Sequence, residues 1–135
     1  MTEPEAVVRR LFELLNAKQA PAATGLLADD VEWRNTGMPT IRGAHRVGRM
    51  LRDMERRRIT FSADLHHVAA DGPIVLTERT DYLGTGRFAT AFWVCGTFHV
   101  EDGRIVLWDD HFSWGNVLAG CGRGAVRALR GRGRS

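Results

Sequence analysis

The chain has 135 residues, enough for one compact domain with a substantial core and too few for two ordinary ones. A hydrophobic fraction of 44% and a charged fraction of 26% are those of a soluble globular protein, and no apolar run approaches the roughly 20 residues that a bilayer-spanning helix needs. The formal charge of +3 is modest and owes much to Arg123, Arg127, Arg130, Arg132 and Arg134, so the body is near neutral and neither nucleic acid nor membrane is an expected partner.

The start, Met1-Thr2-Glu3-Pro4-Glu5, lacks the basic and apolar regions of a signal peptide, and a cytoplasmic location is expected. Cys95 and Cys121 have no metal-ligand spacing and are expected to be buried and reduced. Thr2 and Glu5 have capping-box spacing, and Val7, Val8, Leu11, Phe12, Leu14 and Leu15 recur at helical period. A first helix is predicted from about Pro4 to Asn16. Pro21 suits the first turn of a shorter helix through Leu26 and Leu27. Val31 to Asn35 alternates as a short strand with Trp33 and Asn35 on one face.

Gly37 and Pro39 mark a loop. After Gly43, Val47, Met50, Leu51 and Met54 recur at helical spacing, with Arg46, Arg49, Arg52, Arg56, Arg57 and Arg58 largely on the wet side. From Ile59 the period becomes two, and a meander of long strands is predicted: Ile59 to a turn at Asp71-Gly72, Pro73 to Leu83, Phe88 to Val100, and Arg104 to Ser113. The stretch from Asn116 to Leu129 carries three glycines and reads as a weak, broken helix. The domain is expected to span 1–130, with a disordered arginine- and glycine-rich tail at 131–135. Helices, strand, helix and then antiparallel strands indicate an α+β fold, with helices on one face of a curved sheet around a pocket.

Arg79 and Asp81 share a strand face with Val75, Thr77 and Leu83, where charge is costly unless paired. A three-residue turn at Glu101-Asp102-Gly103 would set Asp110 opposite Val94, and a four-residue turn at Gly84 to Arg87 would set Arg79 opposite Phe92. Asp110 then shares the face of Asp81 and Arg79, about 10 Å from the Arg79 strand. A two-residue Asp102-Gly103 turn would instead set Asp110 opposite Cys95 and flip it outward. In the inward register the three residues form one buried acid/base device. Met50, Met54, Leu83, Phe92, Val94 and Phe112 are core residues that double as pocket wall. His66, His67, His99 and His111 do not suggest a metal site, because adjacent strand residues face opposite ways.

Three segments together resemble the limonene-epoxide hydrolases, small enzymes of the NTF2-like, SnoaL-type fold: Val75 to Asp81, Phe92 to Phe98, and Asp102 to Ile105 leading to Trp108-Asp109-Asp110-His111-Phe112. Asn35 and Ile41-Arg42-Gly43 fit the pattern too. The resemblance implies a cofactor-independent hydrolase for an apolar epoxide. Asp110 would be the base that deprotonates water, Asp81 the acid that protonates the oxirane oxygen, Arg79 the bridge and Asn35 a water-positioning residue. It also implies a homodimer through the outer sheet face that carries Trp93. Trp33 stands where the family has a water-holding tyrosine, and indole donates a hydrogen bond but accepts none. Asp109 stands where the family usually has arginine. The alternatives are an epoxide-opening cyclase that uses a substrate hydroxyl, and a non-catalytic ligand-binding module of the same fold.

Overall fold

The computed structural model describes residues 1–132. In chain order it contains α1 (Glu3–Asn16), α2 (Ala20–Thr24), β1 (Leu27–Asn35), β2 (Ile41–Arg42), α3 (Ala44–Arg56), β3 (Thr60–Asp71), β4 (Ile74–Thr85), β5 (Phe88–Glu101), β6 (Arg104–Phe112) and α4 (Trp114–Arg132). The strands form one curved sheet in the order β2-β1-β6-β5-β4-β3, parallel between β1 and β6 and antiparallel elsewhere. This is the expected α+β arrangement, left open rather than closed into a barrel. No helix of the described residues is long and apolar enough to cross a membrane.

Thr2 caps α1 by accepting from the Glu5 N–H at 3.3 Å, satisfying one of the orphan donors of the first turn. The helix buries Val8, Leu11, Phe12, Leu14 and Leu15 against Val75, Phe98, Val100, Ile105 and Trp108 of the sheet. Asn16 fastens its far end to the edge strand β3, donating to the Ala63 carbonyl at 3.0 Å and accepting from the Ala63 N–H at 2.8 Å. Helix α2 stops at Thr24 rather than reaching Leu27, which opens β1. The pair Ile41–Arg42 forms the edge strand β2, too short to show a period of its own.

The expected register of the first hairpin is corrected, and of the two left open for the second the two-residue turn is the one found. Each turn has two residues: Gly86-Arg87 sets Thr85 opposite Phe88, and Asp102-Gly103 sets Glu101 opposite Arg104. Asp102 and Gly103 both have positive φ, 51° and 74°, the left-handed pair that tight hairpin turns demand. Arg79 therefore lies opposite Val94 rather than Phe92. The tight second turn alone would have turned Asp110 outward, opposite Cys95. A bulge between His99 and Val100 shifts the register by one, so Asp110 lies opposite Gly96 and faces inward.

Helix α4 is continuous despite its glycines. A Cβ at Gly120 would lie 2.8 Å from the Ala91 carbonyl oxygen, and one at Gly124 would collide with the Ala89 carbonyl, so glycine is what lets this helix lie on β5. Of the tail expected at 131–135, residues 131 and 132 close α4, and 133–135 lie outside the described residues. Cys95 and Cys121 are free and half-buried rather than fully buried.

Candidate active site

Arg79, on the inner face of β4, has no solvent exposure, and Asp81 and Asp110 are each 4% exposed. Burial of this kind requires pairing, and the geometry provides it. The Arg79 Nε donates to Asp81 Oδ1 at 2.7 Å, and Nη2 donates to Asp81 Oδ2 at 3.0 Å and to Asp110 Oδ2 at 2.7 Å. One guanidinium thus bridges two carboxylates from strands that are not neighbours, reaching over Gly96 of the intervening β5. A Cβ at Gly96 would lie 2.7 Å from Arg79 Nη1, 2.8 Å from Thr77 Oγ1 and 3.0 Å from Asp110 Oδ1. The cluster needs glycine at that point. The Phe12 ring of α1 covers the guanidinium, with Cζ 4.6 Å from the ring centroid.

The electrostatics bear on Asp81. Burial raises the Asp81 carboxyl above its ordinary range; the hydrogen bonds and charge of Arg79 pull it down, Asp110 pushes it up again, and the net direction is upward. Burial also opposes the charge of Arg79, but the attraction of Asp110 and Asp81 outweighs it, and the guanidinium holds its proton more tightly than a free arginine. With both carboxylates ionised the cluster would bury one net negative charge. A proton on Asp81 makes it neutral.

Asn35 lies opposite Asp110 in the β1–β6 pairing. Just beyond it, the Thr36 N–H donates to the Asp110 carbonyl at 3.2 Å and the Phe112 N–H donates to Thr36 Oγ1 at 3.2 Å, which locks the end of β1 beside the acid. Trp33 is buried and stacks on Trp108, with centroids 4.6 Å apart and planes 21° from parallel. Its Nε1 has no hydrogen-bond partner. Trp108 donates from Nε1 to Asp110 Oδ2 at 3.1 Å, while Asp110 Oδ1 has no partner at all.

Against Trp33 and Trp108 lies a cavity of about 350 Å³, walled by apolar groups that include Leu15, Leu51, Met54 and Phe61; Asn35, Arg79, Asp81 and Asp110 do not line it. It adjoins the acids through Trp108, which is at once cavity wall and hydrogen-bond donor to Asp110. Of the pocket residues expected from sequence, Met54 lines this cavity, and Met50, Leu83, Phe92, Val94 and Phe112 do not. Met50 is 38% exposed on α3, and Val94 is buried opposite Arg79. Phe92 and Phe112 touch each other at 5.7 Å, and Phe112 also meets Trp114 at the start of α4.

Trp108, Phe12, Thr77 and Gly96 were missed as site residues. The two-residue spacing of Trp108 and Asp110 on one strand was the available signal, since it places both side chains on the same face. The histidines stand apart: His66 meets Thr80, His99 meets Glu101 and His111 meets Asp109. Among the described residues no three His, Cys, Asp or Glu side chains gather as they would around a metal ion.

Comparison with known proteins bears on this arrangement directly. Residues 2–123 match the model of the limonene-1,2-epoxide hydrolase catalytic domain. The chain is 40% identical over 119 residues to epoxide hydrolase EphG of Mycobacterium tuberculosis (strain ATCC 25618 / H37Rv), covering 88% of this chain and 79% of that one. Among solved structures, an LEH-like epoxide hydrolase of M. tuberculosis superposes with a TM-score of 0.90 at 38% identity, over 94% of this chain and 95% of that one. An NTF2-like protein of unknown function from Burkholderia pseudomallei K96243 shares the fold, with a TM-score of 0.77 at 20% identity over 90% of this chain and 98% of that one.

Proposed function

The chain belongs to the limonene-1,2-epoxide hydrolase family and is an epoxide hydrolase, and from that premise we propose that it adds water to an apolar epoxide in a single acid/base step, giving a vicinal diol. The observation that carries this reading is the pair of buried carboxylates on one guanidinium, with one oxygen of Asp110 left free. Asp110 takes a proton from water as the water oxygen bonds to an oxirane carbon. The ring C–O bond breaks, and its electron pair takes the proton held on Asp81. Return of the proton from Asp110 to Asp81 resets the site.

Arg79 keeps both acids in place by hydrogen bonds, and burial favours the neutral form of Asp81. Asn35 orients the water beside Asp110. Trp33, donor only, contributes at most a hydrogen bond to an oxygen lone pair. Ring strain supplies much of the driving force, so the step requires neither a metal nor a covalent intermediate. The apolar walls and the volume of the cavity support a cyclic, terpenoid-like or polyketide-like epoxide as substrate.

Asp110→Asn and Asp81→Asn test the assignment, since each keeps shape and removes one half of the proton transfer. Steady-state turnover of a panel of apolar epoxides should fall by about 10²–10⁴-fold in each variant. Retention of wild-type turnover in either would remove that residue from the mechanism.

A homodimer through the outer sheet face belongs to the same proposal. Leu76 and Tyr82 on β4 and Trp93 on β5 all point outward there, 49%, 39% and 47% exposed.

A further inference from the structure

We infer that Trp108 is a positioning residue for Asp110: with Arg79, its indole N–H occupies Oδ2 and leaves Oδ1 as the oxygen that takes the proton from water. The inference rests on the reading of Asp110 as base and goes beyond it, because it names the reacting atom and the group that selects it.

The two carboxylate oxygens of Asp110 have unequal surroundings. Oδ2 accepts from Arg79 Nη2 at 2.7 Å and from Trp108 Nε1 at 3.1 Å. Oδ1 is buried with no donor, beside Gly96, where a Cβ would stand only 3.0 Å away. An oxygen engaged by a cation and a second donor holds its lone pairs in those bonds, so basicity is concentrated on the free one. A buried tryptophan N–H usually finds a partner, and a backbone carbonyl would serve for packing alone. Here it takes a carboxylate oxygen already held by arginine.

The indole that does this is itself rigid. It stacks on Trp33, lies 6.0 Å from Phe98 and meets the edge of Phe12 at 6.4 Å, and it is 2% exposed. Because β6 carries Trp108 and Asp110 two residues apart on one face, the donor and the acid move as a unit. The ring also lines the apolar cavity, so a substrate lies against the same group that orients the base. The charged groups in contact with or next to Asp110 are Arg79 and Asp81 from β4. Strand β5 presents Gly96, β1 presents Asn35 and Trp33, and α1 presents Phe12, while Lys18, Glu55 and Arg58 belong to the cavity lining.

The test replaces Trp108 with benzothienylalanine, which keeps the bicyclic shape and puts sulfur where the N–H was, and separately makes Trp108→Phe. kcat should fall by about 10- to 100-fold in the benzothienyl variant, the size of one hydrogen bond to a charged group, with KM nearly unchanged. The loss should fall on kcat and spare KM, a split that a merely packing role for the indole would not produce. A loss confined to KM, or an unchanged kcat, would overturn the inference. If Trp108→Phe does not fold, the benzothienyl variant decides alone. Asp110→Asn separates the two levels: wild-type kcat in that variant would refute Asp110 as base, whereas its inactivity beside unaffected Trp108 variants would refute only the role of Trp108.

Discussion

A guanidinium with no solvent exposure must find its counter-charges inside the protein, and Arg79 finds them on two strands. Removing one partner of such a buried pair costs about 3–5 kcal/mol, because it leaves the other charge buried and uncompensated. Asp81 carries a pH signature. Its folded carboxyl titrates above the ordinary value of 3.8, so the native state holds a proton that the unfolded chain has released. Stability contributed this way is present below the unfolded value and is lost as pH rises from there through the raised folded value. Asp81→Asn cannot titrate. Denaturant unfolding across pH 3–7 should therefore show that decline in the wild-type protein and a flatter profile in the variant, and parallel profiles would contradict the upward direction.

At the scale of the element, the glycines of α4 make opposite predictions. Gly124 faces the Ala89 carbonyl with no room for a methyl group, whereas a Cβ at Gly122 would meet nothing within 4 Å. Gly122→Ala should stabilise the protein by about 0.5–1 kcal/mol, from helix propensity. Gly124→Ala should destabilise it by roughly 1–3 kcal/mol through the forced displacement of the helix from β5. Thermal unfolding of the two variants compares them, and equal shifts would mean that α4 does not lie on β5. Much of this level is legible in the sequence: α1 from its apolar period and Thr2 cap, the last hairpin from Asp102-Gly103, and the β3–β4 hairpin to within one residue, its turn being Gly72-Pro73 rather than Asp71-Gly72. Where the sequence misleads, a contact distant along the chain decides. The inward face of Asp110 depends on a bulge at His99 and Val100, which periodicity does not encode, and the continuity of α4 depends on the backbone of β5. Arg79, Asp81 and Asp110 come together because the alternation of strand faces survives the corrected first register and the bulge restores it in the second. The cavity was less legible, since its walls combine the ends of α1 and α3 with β3 and the two stacked tryptophans.

At the scale of the whole molecule, the inner face of the sheet holds the buried cluster and its outer face leaves Leu76, Tyr82 and Trp93 uncovered. Pairing two outer faces would bury these side chains, and Trp93→Lys would put a charge at their centre. Light scattering after gel filtration should find a dimer for the wild-type chain and a shift toward monomer for the variant. A wild-type monomer at micromolar concentration would refute the homodimer.

The central claim is that water attacks the epoxide directly, activated by Asp110 and assisted by Asp81. Its most direct measurement is a single turnover with enzyme in excess over epoxide in heavy-oxygen water, with mass spectrometry of the product. The account predicts a diol that carries one solvent oxygen from the first turnover. An unlabelled first-turnover diol, its new oxygen taken from a carboxylate of the protein, or a product isomeric with the epoxide and free of solvent oxygen, would contradict it.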